Sequence, residues 1–312
     1  MDNPITTFIP SLRQLTYLLA LHEHAHFGRA AAANFVTQST LSAGIAELER
    51  LLGVVLVERT KRSVRFTSVG EAVVERARSV VRGAEDLCEA ARAASQPLVG
   101  TLRLAVIPTV APFLLPRILP AIAAAWPGLK LYVREMLTAA ACEALQRGTS
   151  DCVLLALPAD CGDVETCEIS VDRLLLGICA AEDASNAAIL LDDIDVARLL
   201  LLEDGHCLKD HALSACDRTM AQSEALLVAS TLHTLVQMVD AGLGMTLLPE
   251  MAIAAGILSG TRVTSHALVS ASAERRIALA WRSGNARARD YRLLSQTIRS
   301  AVEQPRQRCI AG

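Results

Sequence analysis

Beyond residue 100 the chain alternates apolar runs with segments of helical pattern, and this alternation limits its fold more than any other feature. The predicted strands are Leu102 to Ile107, Leu129 to Glu135 and Cys152 to Leu157, separated by predicted helices over 112–124 and 139–147. Strands that alternate with helices predict an α/β fold with a mostly parallel sheet covered by helices. The third run is apolar throughout, as expected for a strand buried on both faces.

Four later apolar runs are interpreted as further strands, and they indicate a second lobe. These runs are Leu174 to Cys179, Leu199 to Leu202, Met245 to Leu248 and Ile277 to Trp281. A chain of 312 residues is also longer than one domain usually is. We predict that lobe I comprises residues 100–170 and 276–312 and that lobe II comprises residues 171–275, with the chain returning to lobe I near Arg276.

The N-terminal region predicts a separate domain of three helices and a hairpin. Leucines at helical spacing predict the first helix, an alanine-rich segment predicts the second, and Thr37 and Gly53 suit the two ends of the third. Two runs of β-formers, 54–57 and 64–66, flank the basic turn 58–63. This order is typical of a winged helix-turn-helix, whose third helix enters the major groove of DNA. A small amphipathic bundle with a solvated basic loop is the alternative.

The third helix and the basic turn supply the candidate contacts to DNA. The helix offers four short polar side chains away from its apolar face: Gln38, Ser39, Thr40 and Ser42. The turn offers three cations, Arg59, Lys61 and Arg62. Ala43 and Gly44 present little to base edges, so promoter choice is expected to depend on DNA shape and phosphate contacts. The chain as a whole has a net charge of −3, so a basic field exists only locally.

A long helix is predicted to follow the wing and to join two copies of the chain. Ser68 and Glu71 form a Ser-x-x-Glu capping box, and the helical pattern continues to about Ala94. Six apolar residues recur in steps of four and three, the spacing of a two-helix interface: Val73, Ala77, Val80, Ala84, Leu87 and Ala91. The alternative is that this face packs onto the chain's own globular part.

Gln96, Pro97 and Gly100 mark a hinge after this helix. The predicted domains are therefore a DNA-binding domain over 1–67, a linker dimerisation helix with its hinge over 68–99, and a third region over 100–312.

The interpretation of the nine cysteines depends on the cellular compartment in which the protein is expected. The N-terminus lacks a basic region followed by an apolar run, and no segment has eighteen uninterrupted apolar residues, so the protein is expected to be cytoplasmic. Because the cytosol keeps thiols reduced, any disulfide is expected to be transient. Cys142, Cys152 and Cys179 are interpreted as buried thiols. Cys161 and Cys167 fall in a polar loop whose spacing does not suit a zinc site.

The segment LLEDGHCLKDHALSAC, residues 201–216, contains a cysteine suited to reaction. Cys207 lies between His206 and Lys209, and residues 208–215 can form a short helix whose amide end points toward the sulfur. Positive charge and a helix N-terminus both lower the pKa of a thiol and favour the reactive thiolate.

Cys216 is a candidate resolving thiol for Cys207. If the residues between them are helical, nine residues at about 1.5 Å each separate the two Cα atoms by roughly 13 Å. A disulfide needs those atoms within about 7 Å. Bonding the two sulfurs would therefore require the segment to unwind. The alternative is that nine cysteines produce some near pairs by chance, and that Cys207 is a small buried hydrophobe.

Taken together, these features resemble the LysR-type transcriptional regulators over the whole chain. The N-terminal resemblance rests on AAAANFVTQSTLSAGIAELERLLGVVLVERTKRSVRFTSVGE. The segments LLEDGHCLKDHALSAC and IPTVAPFLLP are similar to the OxyR branch of that family, whose members sense hydrogen peroxide. The resemblance implies a winged helix-turn-helix, a long dimerisation helix, and a two-lobed α/β regulatory domain like that of periplasmic binding proteins.

The resemblance also implies a mechanism. Peroxide oxidises Cys207 to a sulfenic acid, and Cys216 captures it as a reversible disulfide. Three residues match the peroxide site of that branch, Thr109, Thr138 and His206, and Lys209 occupies a fourth position of that site. Lys209 replaces the arginine of better-known members, and one residue of the pair Arg275 and Arg276 is expected to contact the switch.

The implied role is that of an activator of antioxidant genes, not of an enzyme, with neither cofactor nor metal. The implied partners are double-stranded promoter DNA, RNA polymerase, further copies of the chain in a homodimer and homotetramer, and a thiol reductant of the glutaredoxin or thioredoxin type. No membrane partner is expected.

Two other functions stay open. A LysR-type regulator could respond to a metabolite bound between the two lobes, where small-molecule sites often lie. A thiol peroxidase would use the same cysteine chemistry, but it would have no use for the basic wing or for the long helix.

Overall fold

The structure is a computed structural model that describes residues 9–59, 64–93, 97–181, 189–190, 194–215, 228–269 and 273–303. The chain divides into two compact units, one up to Ala91 and one from Arg92 onward. Within the described ranges, no helix has the length and apolar character needed to cross a membrane.

The first unit consists of helices and a short hairpin, as the sequence predicts. Its elements are α1 (Leu12–His24), α2 (Phe27–Ala33), α3 (Gln38–Leu52), β1 (Val57–Arg59), β2 (Val64–Phe66) and α4 (Ser68–Ala93). The hydroxyl of Thr37 accepts a hydrogen bond from the Thr40 amide at 3.2 Å and caps α3. Gly53 ends that helix with a left-handed φ of 68°. Leu41, Ile45 and Leu48 of α3 are fully buried in the core of the unit.

The hairpin and the start of α4 differ from prediction in two details. The first wing strand begins at Val57 instead of residue 54, because the carboxylate of Glu49 accepts the amides of Leu56 and Val57 at 2.8 and 3.1 Å and fixes the chain before it pairs. The cap of α4 is Thr67 and not Ser68. The Thr67 hydroxyl accepts the Gly70 amide at 2.9 Å, and Glu71 pairs with His22 instead of folding back onto the cap.

The predicted interface along α4 divides into two parts. Ala77 is buried in the core of the first unit, and Val73 packs against that core. Further along, Val80 and Leu87 are exposed over 53% and 72% of their surface. The first turns therefore pack within their own unit, as the alternative interpretation expected. Pairing of the second half with another copy stays a prediction.

The second unit is an α/β unit with sixteen labelled elements in the described ranges. They are β3 (Gly100–Val106), α5 (Ala111–Ala125), β4 (Leu129–Glu135), α6 (Thr138–Arg147), β5 (Cys152–Leu157), β6 (Val164–Cys179), β7 (Ile189–Leu190), β8 (Leu201–Leu202), α7 (Cys207–Ala215), β9 (Val228–Ala229), α8 (Leu232–Asp240), β10 (Thr246–Pro249), α9 (Glu250–Ala254), β11 (Val263–Val269), β12 (Glu274–Arg282) and α10 (Ala288–Glu303).

The main sheet is mixed, so the expectation of a mostly parallel sheet is wrong. Its order is β4-β3-β5-β12-β6-β11-β7, and β10 also pairs with β6. Strand β3 is parallel to β4 and β5, whereas β12 is antiparallel to both β5 and β6. The reason is topological: β6 carries the chain out of one half of the unit and β12 brings it back, so the two strands run in opposite directions.

Strand β6 is also longer than predicted, because its first half is not an apolar run. Residues 164–173 include three acidic residues, Glu165, Glu168 and Asp172, and mix exposed, half-buried and buried positions. This half pairs with β12 along residues 274–282. Cys167, which we expected in a polar loop, therefore lies in a strand.

Two hydrophobic cores form in this unit. One contains Leu154 and Ile277, and the other contains Leu176 and Leu247. Cys207 belongs to the first core, whereas the next residue, Leu208, belongs to the second. Helix α7 therefore begins where the two cores meet.

Candidate functional site around Cys207

Cys207 is the first residue of α7, so its backbone lies at the positive end of a helix. The predicted helix is thus present and begins one residue earlier than expected. Cys207 is a free thiol and 8% of its surface is exposed. Gly205 precedes it with φ at 93°, and a Cβ there would lie 3.1 Å from Leu137. This close approach brings the Cys207 loop against the start of α6. Cys216 lies outside the described residues, so its distance from Cys207 stays a prediction.

The two cations expected beside the thiol do not supply free positive charge. The Lys209 ammonium lies 2.7 Å from a carboxylate oxygen of Asp204, which offsets its charge. His206 is 4% exposed, and burial lowers the pKa of its imidazole. Three weaker influences raise that pKa: the charge of Glu203, a hydrogen bond to the Ser230 carbonyl, and the charge of Glu135. The lowered pKa leaves His206 neutral at pH 7, so the expectation that it adds positive charge is corrected.

The buried cation of the site is Arg275. It is 1% exposed, and it donates from Nε to Asp172 at 2.9 Å, from Nη1 to the Thr109 hydroxyl at 2.9 Å, and from Nη2 to the Thr109 carbonyl at 3.1 Å. Arg276 instead is exposed and lies 3.9 Å from Glu168. Of the two arginines, Arg275 is therefore the one joined to the predicted peroxide residues. Breaking its buried ion pair would leave a charge without a partner.

Three buried polar atoms, one on α6, one on α7 and one just before α7, have no hydrogen-bond partner among the described residues. They are the Thr138 hydroxyl, Nδ1 of His206 and Nδ1 of His211. Thr138 is the first residue of α6, next to the Leu137 that Gly205 approaches. A buried polar atom left without a partner costs about 1–3 kcal/mol. Such a group of atoms is suited to a small polar ligand.

His211 and Asp172 are the members of the site that our sequence reasoning missed. His211 lies four residues after Cys207 in α7, so helical spacing could have identified it. Asp172 holds Arg275 from a distant strand, and no pattern in the sequence marks that contact. Of the four predicted peroxide residues, His206 and Lys209 flank Cys207 along the chain, Thr138 follows the Leu137 that Gly205 approaches, and Thr109 accepts a hydrogen bond from Arg275. Their grouping around peroxide stays a prediction.

The other cysteines correct one expectation. Cys142 of α6 and Cys161 form a disulfide with their Cα atoms 4.8 Å apart, although we expected Cys142 to be a buried thiol and no lasting disulfide. The buried face of α6 packs on the loop after β5, and Gln146 donates to the Cys161 carbonyl at 2.5 Å. Cys152 and Cys179 are buried free thiols, as predicted. In the described part of the chain no cluster of three potential metal ligands occurs.

The candidate DNA contacts on α3 are accessible. Gln38, Ser39 and Thr40 are exposed and Ser42 is half-buried. The hydroxyls of Ser39 and Thr40 lie 2.9 and 2.8 Å from that of Thr37, so both take part in the helix cap. Lys61, Arg62 and the side chain of Arg59 lie outside the described residues.

Two family models match the two units. The model "Bacterial regulatory helix-turn-helix protein, lysR family" matches residues 12–71, and the model "LysR substrate binding domain" matches residues 95–303. The chain belongs to the LysR family. It is therefore a transcriptional regulator with a helix-turn-helix DNA-binding domain and an α/β regulatory domain.

Among curated relatives, the chain is 49% identical over 246 residues to "HTH-type transcriptional regulator EstR" of Acinetobacter baylyi, covering 78% of this chain and 81% of the relative. It is 40% identical over 295 residues to a "Probable hydrogen peroxide-inducible genes activator" of Streptomyces viridosporus, covering 94% and 95%. A solved structure of a hydrogen-peroxide-bound OxyR cysteine-to-serine mutant from Corynebacterium glutamicum is 31% identical, with a TM-score of 0.65 and coverage of 95% and 94%. The chain is thus similar both to OxyR proteins and to a LysR regulator of another name.

Proposed function

We propose that this chain is a hydrogen peroxide-sensing transcriptional regulator switched by a reversible disulfide between Cys207 and Cys216. The observation that carries the proposal is the set of buried polar atoms around Cys207 that lack partners among the described residues, Thr138 Oγ1 and His206 Nδ1 above all. The similarity to relatives named for hydrogen peroxide supports the same assignment.

The size and polarity of these groups suit hydrogen peroxide. Peroxide has two hydrogens to donate and accepts on both oxygens. His206 Nδ1 carries a lone pair that can accept from it, and the hydroxyls of Thr138 and Thr109 can donate to it. The Thr109 oxygen already accepts from Arg275, which directs the Thr109 hydrogen away from the guanidinium. Lys209 adds little net positive charge to the site, because its ammonium is paired with Asp204.

The chemistry balances without a cofactor. The Cys207 sulfur gives up its proton and attacks one peroxide oxygen, the oxygen–oxygen bond breaks, and the departing hydroxide takes up a proton, so the products are a sulfenic acid and water. The Cys216 thiol then displaces the sulfenic hydroxyl, giving a disulfide and a second water. The positive end of α7 at Cys207 stabilises the negative charge that develops on the sulfur during the attack. A cellular reductant of the glutaredoxin or thioredoxin type returns the two thiols.

The output of the switch is altered engagement of DNA. Formation of the disulfide would unwind α7, which begins where the two cores meet, and would change how copies of the chain pack in a dimer and a tetramer. The regulator would then activate antioxidant genes through RNA polymerase. In this proposal α3 reads promoter DNA with Gln38, Ser39, Thr40 and Ser42, while Arg59, Lys61 and Arg62 bind phosphates.

A peroxide titration followed by mass spectrometry of thiol states tests the proposal. We expect a Cys207–Cys216 linkage at low peroxide, with a parallel change in the DNA footprint. Both changes should be absent in Cys207→Ser and kept in Cys88→Ser, which removes an exposed thiol on α4. A footprint that changes normally in Cys207→Ser would rule the proposal out.

A second candidate is a LysR-type regulator that responds to a small metabolite, and the name of the relative EstR does not refer to peroxide. A pocket of about 350 Å³ lies between α5, β6 and α9, lined by Phe113, Arg117, Asp172 and Met251 among others. Its walls come from both cores, which matches a ligand site between two lobes. A metabolite that raises the melting temperature and still switches transcription in Cys207→Ser would favour this candidate.

A further inference from the structure

The imidazole of His211 is buried, and it has no role in the peroxide reaction proposed for Cys207 and Cys216. His211 lies on α7 four residues after Cys207 and is 8% exposed. Residues four apart share one helix face, and side chains on a helix lean back toward its N-terminus. The His211 ring therefore extends over the turn of helix that begins with Cys207.

The two ring nitrogens of His211 have different surroundings. The ring donates a hydrogen bond to the Pro158 carbonyl, in the loop after β5. Nδ1 has no hydrogen-bond partner in the described part of the chain, so Nε2 is left as the donor. The lone pair of Nδ1 is thus buried and available to accept a proton.

The charged groups that face His211 keep it neutral. Burial, and then the Arg275 guanidinium on β12, lower the pKa of the imidazole, whereas the Pro158 carbonyl and Asp210 on its own helix oppose that change. A proton taken up by His211 would therefore be held weakly and released easily.

The neighbouring groups are less suited to this role. Arg275 and Lys209 are cations and cannot accept a proton. His206 has an Nδ1 without a partner among the described residues as well, but it precedes α7 and does not share a helix face with Cys207, and the carboxylates Glu203 and Glu135 favour retention of its proton.

We propose that His211 is a catalytic residue that takes the proton of the Cys207 thiol and gives it to the departing peroxide oxygen; this rests on the proposed function. As the thiol proton passes to Nδ1, the sulfur attacks one oxygen of hydrogen peroxide. The oxygen–oxygen bond breaks, and the departing hydroxide takes the proton from Nδ1 and leaves as water. Thiol and peroxide thus become sulfenic acid and water, and His211 ends neutral.

The pH profile of Cys207 oxidation in His211→Gln tests this role. Glutamine keeps a donor for Pro158 and an acceptor, but it cannot carry the proton. In the full chain with Cys216→Ser, which halts the reaction at the sulfenic acid, quenched-flow mass spectrometry measures the rate. We expect His211→Gln to be about 100-fold slower at pH 7. At pH 9.5, where hydroxide in the solvent can remove the proton without His211, the deficit should shrink to about threefold.

The matched control is His233→Gln, which removes an exposed imidazole on α8 that stacks on Phe113. Its rate should equal that of the parent protein at every pH. Recovery of His211→Gln at pH 9.5 would also show that the variant is folded. If His211→Gln were slower by the same factor at every pH, the Pro158 contact would have a structural role and the inference would be overturned. An unchanged rate of His211→Gln at pH 7 would also overturn it. If the parent protein itself fails to form a sulfenic acid at Cys207, the proposed function fails instead.

Discussion

Two regions of the second unit hold their cysteines in opposite ways. Around Cys142 and Cys161, a covalent bond joins α6 to the loop after β5, and both sulfurs lie in the first hydrophobic core. Around Cys207, the chain is held by a polar network in which Arg275 joins Thr109 to Asp172, and the thiol stays free. The comparison shows that distance in the fold, and not spacing in the sequence, decides which cysteine is held in a disulfide and which stays a free thiol.

The largest expected effect comes from breaking the polar network. Arg275→Met would leave the Asp172 carboxylate buried without its partner, which costs about 3–5 kcal/mol of unfolding free energy. Urea denaturation measures this loss. The double variant Arg275→Met with Asp172→Leu should recover most of it, because no buried charge then remains. If the single and double variants were equally unstable, packing and not charge would hold this region.

Removing the covalent link should have the next largest effect. For the roughly 20-residue loop that it closes, the Cys142–Cys161 bond is worth about 3 kcal/mol. We expect Cys142→Ala to lose this amount without reductant, and to differ far less from the parent protein in dithiothreitol. Cys88→Ala is the matched control, because Cys88 is an exposed free thiol. Equal stability of Cys142→Ala and parent without reductant would contradict the contribution of this link.

Acid should weaken the Cys207 region through its two buried imidazoles. The pKa values of His206 and His211 are lowered in the folded state, in each case mainly by burial. The unfolded chain therefore binds more protons just below pH 6.5, so stability is complete above that pH and is lost as the pH falls through it. Denaturation at pH 7.5 and 5.5 should show a smaller pH dependence in the His206→Gln, His211→Gln double variant. A dependence identical to that of the parent would show that other groups cause it.

The smallest expected effect is that of Lys209. Its ion pair with Asp204 reaches the surface, since the Asp204 side chain is 80% exposed. An exposed pair contributes about 0–1 kcal/mol. Lys209→Met should therefore change the unfolding free energy little, and a loss as large as that of Arg275→Met would show that Lys209 supports the region more directly.

Much of the fold could be predicted from the sequence because local signals agree with it. Thr37 and Gly53 marked the ends of α3, and the apolar run of β5 was predicted with the bounds that the structure has. The first half of β6 was missed because its polar alternation resembles a loop when its partner β12 is unknown. The candidate site was only partly predictable. Thr109 and Thr138 came from a family resemblance, whereas the hydrogen bonds of Arg275 to Thr109 and the effect of Arg275 on His211 depend on contacts that the sequence does not show.

The sequence by itself determined the helix-turn-helix order, the α/β class and the position of Cys207 beside a short helix, because each depends on periodicity and caps within a few residues. Tertiary structure alone decided the antiparallel course of β6 and β12, the choice of Arg275 over Arg276, and the pairing of Cys142 with Cys161. These outcomes join residues that are distant along the chain. Charge, burial and sulfur chemistry act through distances in space, and only folding sets those distances.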